Sequence, residues 1–334
     1  MLESLKGSPL AAFLAALLVS LCVTPLVRAL ALRVGAVAKP DARRLHVGQI
    51  PQWGGLALFL GVLGAAIVWR QPDASDLRLL SPSNNPADIA QTVQTLHLST
   101  TFFGCGLAML LLGMADDKWE LKAWQKFGGQ MVITYFLWRG GLKITTLPFT
   151  AGTQALSDEV SLFFTMVWVL GLTNGVNFID GVDGLAAGVG AIAAGSLALI
   201  ELDKAPWAAC ALAALCGSCI GFLRYNFPPA KIFLGDAGAL LLGFWLAAIA
   251  LTAAAKTAAA TTLALPLLVL GIPVLDTIWA VLRRVLAGQA PWAADRGHIH
   301  HRLLSRGLSP VRTVLVIYAF AMVLGAVALV FSRS

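Results

Sequence analysis

Residues 160–173 read Val-Ser-Leu-Phe-Phe-Thr-Met-Val-Trp-Val-Leu-Gly-Leu-Thr and run directly into Asn174-Gly-Val-Asn177-Phe-Ile-Asp180-Gly-Val-Asp183-Gly184. The first part carries no charge and suits a helix buried in lipid. The second places four polar side chains three apart where that helix would meet water. On a helix of 3.6 residues per turn, each step of three rotates a side chain back by about 60°. Asn174, Asn177, Asp180 and Asp183 would therefore spread over half the circumference, and their convergence requires a broken or tightened helix. Gly175, Gly181 and Gly184 permit that break. A capped helix end followed by a glycine turn accounts for one or two of these side chains and leaves two carboxylates over.

The rest of the chain extends the pattern. Of 334 residues, 58% are hydrophobic and 12% charged, against about 25% charged in soluble domains. One compact core could not hide so much apolar surface, which excludes an ordinary soluble enzyme. Apolar segments at 9–31, 54–69, 99–114, 127–138, 160–173, 184–201, 207–223, 238–255, 262–282 and 311–332 predict an all-α, polytopic integral membrane protein of about ten transmembrane helices, with residues 1–334 as one domain. The runs 99–114 and 127–138 are short and are expected to extend into their flanks. Residues 1–31 read as a retained membrane helix, because the apolar run is long and the positive charge follows it. Residues 70–98, with Pro72, Pro82, Asn84, Asn85 and Pro86, read as a long irregular external loop without chemistry.

Ten spans put both termini on one side and sort the loops into two sets. The loops after the odd-numbered spans, with adjoining helix ends, hold sixteen of the 24 basic residues, among them Arg43, Arg44, Lys118, Lys122, Lys126, Arg224, Arg283 and Arg284. The positive-inside rule makes that set cytoplasmic and both termini external. The net charge of +7 reports topology; no basic run with interleaved aromatics points to nucleic acid. Cys22, Cys105, Cys210, Cys216 and Cys219 all lie in apolar runs and read as buried thiols, with neither disulfides nor zinc.

Nine of the seventeen acids fall on the cytoplasmic side. Asp116 and Asp117 close the third span, and adjacent carboxylates repel unless a cation, a proton or basic neighbours compensate. A solvated helix end balanced by Lys118 and Lys122 is the plain alternative. Phe233-Leu-Gly235-Asp236-Ala-Gly238 opens the eighth span, where an N-cap would explain the acid and a hard cation would equally suit it. Topology puts Asp116, Asp117, Asp180, Asp183 and Asp236 on one membrane face, which favours a joint role. Asp276, ahead of Arg283 and Arg284, fits either an ion pair or a site. In Asp295-Arg296-Gly-His298-Ile-His300-His301-Arg302, imidazoles and guanidinium groups crowd together in a way that suits an anionic, hydrogen-bonding ligand such as a sugar phosphate.

At these residues the chain resembles the polyprenyl-phosphate N-acetylhexosamine-1-phosphate transferase family, from about Lys39 to Arg306. The family's aspartate pair resembles Asp116-Asp117, and its Asn-x-x-Asn-x-x-Asp-Gly-x-Asp-Gly stretch resembles residues 174–184. Its Phe-x-Gly-Asp-x-Gly is similar to residues 233–238, and its Pro-x-x-Asp to Pro273–Asp276. Lys39-Pro40-Asp41-Ala-Arg43-Arg44-Leu-His46, followed by Pro51 and Gly54-Gly55, is similar to the family's first cytoplasmic loop, although Gln52 and Trp53 depart from the commoner Arg-Leu type. The histidine loop resembles the GlcNAc-1-phosphate branch rather than the MurNAc-pentapeptide branch, which usually shows three consecutive histidines followed by an aromatic and an acid.

The resemblance implies a multi-pass bacterial plasma-membrane enzyme, one transmembrane catalytic domain with its active site cytoplasmic. It would move GlcNAc-1-phosphate from UDP-GlcNAc to undecaprenyl phosphate and release UMP, the first membrane step of teichoic-acid, O-antigen or related glycan synthesis. Residue by residue, it assigns magnesium, with manganese as a possible substitute, to Asp236 and Asn177. It assigns the nucleotide to Asp180, Asp183, Asn226 and Phe233, and sugar or phosphate contacts to His298, His300, His301 and Arg302. Asp116 or Asp117 would orient or deprotonate the acceptor phosphate, or form a phosphoryl intermediate. The partners implied are UDP-GlcNAc, undecaprenyl phosphate and the bilayer, with a homodimer as a possible assembly. Phospho-MurNAc-pentapeptide transfer or another UDP-HexNAc donor is the alternative. A secondary transporter would carry its acids near the midplane, often within a repeat, whereas these cluster at one face.

Overall fold

The computed structural model describes residues 8–38, 50–69, 86–146, 155–254, 261–286, 288 and 297–333. The expected first-loop stretch Lys39–His46, most of the external loop before Pro86, and Asp295 and Arg296 lie outside the described residues. Among those described there is no β-strand, only an isolated bridge between Val37 and Pro51. The helices are α1 (Pro9–Arg33), α2 (Gly54–Trp69), α3 (Pro86–Trp119), α4 (Ala123–Arg139), α5 (Asp158–Ile179), α6 (Leu185–Glu201), α7 (Pro206–Asn226), α8 (Gly235–Ala254), α9 (Thr261–Val269), α10 (Gly271–Leu286), α11 (Ile299–Ser305) and α12 (Pro310–Arg333).

Five of these, α1, α3 from His97, α5, α7 and α12, are long and apolar enough to cross a membrane; α2, α6 and α8 are shorter apolar helices. Their environments differ. Leu10, Leu14, Leu18 and Leu26 of α1 and Leu315, Met322, Val323 and Val330 of α12 face outward, whereas the side chains from Ala239 to Leu251 in α8 are almost wholly buried. Helix α8 is thus the axis of the bundle, packed by α2, α3, α5, α6 and α7. Trp245 at its middle stacks on Phe59 of α2 and Phe102 of α3, with ring centroids 5.5 and 5.3 Å away. Such pairs contribute about 0.5–1.5 kcal/mol each beyond area burial, which matters where lipid offers little hydrophobic drive between helices. At the start of α8 the backbones come closer still. A Cβ on Gly55 or Gly113 would overlap the backbone of Ala237, so glycine alone lets α2 and α3 reach this point.

Two sequence expectations are corrected. The external loop predicted over 70–98 is helical from Pro86 onward, where α3 begins; proline suits a first turn, whose N–H has no intrahelical partner to lose. The stretch predicted as one span at 262–282 is two helices, α9 and α10, meeting at Leu270. Pro273 lacks the donor that would continue α9 without interruption, and Gly271 weakens the same turn. Past the break, α10 leaves Leu275, Ile278, Trp279, Leu282 and Leu286 exposed on one side while Ala280 and Arg284 are buried. Of the cysteines expected to be buried, Cys105, Cys210 and Cys219 are, Cys216 is half-buried, and Cys22 is exposed on α1.

Candidate active site

Helix α5 ends at Ile179, and the chain turns through residues 180–184 before α6 begins. The break that the triplet spacing demanded therefore falls between Asn177 and Asp183. This turn, the ends of α3, α5 and α7, the starts of α8 and α12, and α11 meet around a cavity of about 590 Å³. Its wall includes Asp117, Asn177, Asp180, Asp183, Asn226, Phe233, Asp236 and His301, with Gln52, Leu304, Pro310 and Val311. Asp116, His298, His300 and Arg302 stand off the wall, Asp116, His298 and His300 buried and Arg302 exposed.

The two adjacent aspartates have separate partners. Asp117 accepts the backbone N–H of Asp236 at 2.8 Å and of Ala237 at 3.1 Å, capping α8 from a different helix. It thereby satisfies amides that every helix start leaves unpaired and sits at the positive end of the α8 dipole. The capping role considered for Asp236 belongs to Asp117. Asp116 turns the other way, accepting the N–H of Leu121 at 2.9 Å and pairing with Lys126 Nζ at 2.7 Å.

Lys126 is the site residue that sequence reasoning missed. Its ammonium lies 2.7 Å from Asp116 Oδ2, 2.7 Å from Asp236 Oδ1 and 3.3 Å from Asn177 Oδ1. Asn177 Nδ2 also donates to Asp236 Oδ1. The aspartate pair is thus balanced by Lys126 and by the α8 amides, not by Lys118 and Lys122. One turn further along, Gln130 and Asn174 exchange amide hydrogen bonds at 2.7 and 3.4 Å, which fixes the register of α4 on α5. Among the described residues no three of His, Cys, Asp and Glu are arranged to hold a metal. The donor chemistry nonetheless fits a hard cation: two carboxylate oxygens and an amide oxygen already converge on one positive charge.

The opposite wall is built from backbone ties. Asn226 Oδ1 accepts the N–H of Gly184 at 3.0 Å and its Nδ2 donates to Ile232 O at 2.9 Å, so this amide is engaged with backbone on both sides. Asp183 accepts the N–H of Ala230 at 2.9 Å. Residues 51–55 join the same wall, since Phe233 N donates to Pro51 O and Gly54 N to Phe233 O at 2.9 and 3.1 Å. That backbone pairing carries Gln52 to the cavity.

Asp276, off the cavity wall, has both carboxylate oxygens engaged by the start of the histidine loop. It holds His298 Nδ1 at 2.7 Å and accepts the N–H of Ile299 at 2.9 Å, capping the start of α11. The rings of His298 and His300 stack in parallel 5.9 Å apart, and His301 lies 4.2 Å beyond His300. His300 is 1% exposed, and burial, with His301 and His298 beside it, pushes its pKa down from 6.5 to about 4. A neutral imidazole at the centre of the histidine loop follows.

The sequence profile of glycosyl transferase family 4 matches residues 99–254. Over 322 residues the chain is 34% identical to the probable undecaprenyl-phosphate N-acetylglucosaminyl 1-phosphate transferase of Bacillus subtilis, covering 96% of this chain and 84% of that protein. It is 34% identical over 329 residues to the decaprenyl-phosphate N-acetylglucosaminephosphotransferase of Mycobacterium tuberculosis, covering 91% and 78%. It is 32% identical over 348 residues to the phospho-N-acetylmuramoyl-pentapeptide-transferase of Moorella thermoacetica, covering 97% of each. Together with the apolar helices, these relatives identify a membrane protein.

Proposed function

The chain belongs to glycosyl transferase family 4, and from that membership we propose that it transfers GlcNAc-1-phosphate from UDP-GlcNAc to undecaprenyl phosphate, releasing UMP. This is the first membrane step of a cell-envelope glycan. The observation that carries the reading is one cavity where Asp117, Asp180, Asp183, Asn177 and Asp236 meet, with Lys126 bonded to Asp236 on its wall and to Asp116 behind it. A site for two anionic phosphates needs cationic charge held by carboxylates and hydrogen-bonding groups on its walls.

In this account the acceptor phosphate attacks the sugar-bearing phosphorus of the donor, and the bond to the UMP oxygen breaks. One phosphoanhydride replaces another, so no outside energy source is required. Charge repulsion between the phosphates is the main obstacle. Lys126 offsets it by presenting an ammonium beside the reacting groups, held there by Asp116, Asp236 and Asn177. Asp117, on the wall where Asp116 is not, orients the acceptor phosphate and takes its proton. Asp180, Asp183, Asn226 and Phe233 form the nucleotide side, and His301 reaches the sugar or its phosphate, with His298 and His300 stacked behind it. Asp236 and Asn177 would hold magnesium, or manganese in its place, which when bound would neutralise charge on the diphosphate and on departing UMP.

We further propose ten crossings, with α9 and α10 forming one broken span, both termini external and the cavity at the cytoplasmic face of the bacterial plasma membrane. The bias of basic residues toward the loops after odd-numbered spans supports that orientation. A second reading, transfer from a peptide-bearing MurNAc donor, has support in the similarity to the Moorella thermoacetica protein. Purified protein supplied with undecaprenyl phosphate, magnesium and either UDP-GlcNAc or UDP-MurNAc-pentapeptide separates the two. UMP release with UDP-GlcNAc alone is expected; release only with the peptide-bearing donor would replace the first reading by the second.

A further inference from the structure

Helix α12 lies beyond the residues 99–254 that the family profile matches, yet it reaches the site at two levels. Pro310 and Val311 line the cavity. Two turns later the Tyr318 hydroxyl donates to the backbone carbonyl of Gly184. The ring lies in a notch on α6, for a Cβ at Gly188 would overlap the Tyr318 hydroxyl.

Gly184 is the last residue of the turn that carries Asp180 and Asp183, and it stands at the start of α6 with φ +74°, in the left-handed region. Its N–H is taken by Asn226 Oδ1 at 3.0 Å. Both polar backbone groups of this one residue are therefore held by side chains, one from α7 and one from α12, and its carbonyl also accepts the Gly188 N–H of α6 at 2.9 Å. The α6 bond holds the Gly184 carbonyl along the helix axis, and the Tyr318 hydroxyl is the tie that reaches it from outside α6 and α7, so that the two aspartates ahead of it share its position. The Asp183 bond to Ala230 and the Asn226 bond to Ile232 tie the turn to the 227–233 segment, while on the α6 side the Gly184 carbonyl accepts both the Gly188 N–H and the Tyr318 hydroxyl.

We propose that Tyr318 is a positioning residue for donor binding: through Gly184, its hydroxyl fixes the turn that presents Asp180 and Asp183 to the nucleotide. The inference rests on the proposed UDP-GlcNAc reaction, because it concerns the nucleotide side of that site. Tyr318 does not line the cavity and is not among the partners of Lys126, so its effect is selective.

The test is Tyr318→Phe, which keeps the ring in its notch and removes only the hydroxyl. Purified wild type and variant are compared for UMP release, for UMP affinity by calorimetry and for thermal midpoint. A donor KM raised about tenfold, with UMP affinity weakened to match, is the scale expected from losing one buried hydrogen bond. The kcat, the KM for undecaprenyl phosphate and the midpoint should stay near wild type. Gly188→Ala, which pushes the ring from its notch, should reproduce the rise in donor KM. An unchanged donor KM and UMP affinity in Tyr318→Phe would overturn the proposal, as would a fall in kcat and both KM effects alongside a lowered midpoint. If wild type releases no UMP from UDP-GlcNAc, the proposed reaction fails, and equal UMP affinities would still overturn the role of Tyr318.

Discussion

The carboxylate of Asp117 accepts the backbone N–H of Asp236 at 2.8 Å, so the acid closing α3 caps the helix whose own first acid faces Lys126. Two motifs 119 positions apart are thereby joined into one wall. Asp117→Asn keeps one acceptor oxygen but sets an NH2 group against the second amide and removes charge from the α8 dipole. A loss of about 1 kcal/mol in stability is expected, with the protein still folded. Turnover should fall by roughly 100-fold or more if this carboxylate handles the acceptor's proton. Thermal unfolding and UMP release on the purified variant measure both, and near-normal turnover would remove Asp117 from the mechanism.

Lys126→Met leaves Asp116 and Asp236 facing each other without the ammonium that now lies 2.7 Å from each. Turnover should drop by about 100-fold or more, and the thermal midpoint should fall, since unpaired buried carboxylates are costly. Asp116→Asn should be the milder change, because Lys126 keeps Asp236 and Asn177 as partners. The ranking is read from initial rates of the two purified variants, and the reverse order would contradict it.

The histidine loop gives a pH signature. His300 titrates near 4 in the folded protein against 6.5 ordinarily, so the folded state holds it neutral. Between those values the unfolded chain binds the proton that the folded chain refuses. The contribution to stability is therefore complete above about 6.5, declines as pH falls toward about 4 and changes no further below that. The whole effect is on the order of 3 kcal/mol. His300→Phe should flatten the decline of thermal midpoint over this window relative to wild type, and parallel curves would show that the ring is not held neutral.

Asp276→Ala removes in one step the His298 bond and the N–H acceptor that starts α11. His301, three residues into that segment, loses its anchor on the cavity. Donor KM should rise about tenfold while the KM for undecaprenyl phosphate changes little. Steady-state kinetics with each substrate varied in turn checks this, and an unchanged donor KM would detach Asp276 from the site.

Much of this site could be read from the chain because carboxylates at the ends of apolar runs are costly and therefore informative. The triplet spacing from Asn174 to Asp183 demanded a helix break, and α5 stops at Ile179. Lys126 was legible only as a topological charge, since nothing local marks an ammonium whose partners are Asp116, Asn177 and Asp236 on three different elements. Its position four residues before Gln130, opposite Asn174 and Asn177, was the available signal. Tyr318 lies 134 positions from Gly184 and offers no sequence signal. The break at Leu270 was hidden because Pro266, Gly271 and Pro273 sit within an unbroken apolar run, and hydropathy measures burial rather than backbone continuity.

If sugar and phosphate move together, the donor's sugar-bearing phosphorus ends in the lipid. UDP-GlcNAc labelled with 32P at that phosphorus is incubated with purified protein, undecaprenyl phosphate and magnesium, and the organic and aqueous phases are separated. Label is expected in the organic phase, with unlabelled UMP in equal amount. Label remaining in water, as UDP or GlcNAc-1-phosphate, while sugar enters the lipid or UMP is released, would contradict that joint transfer.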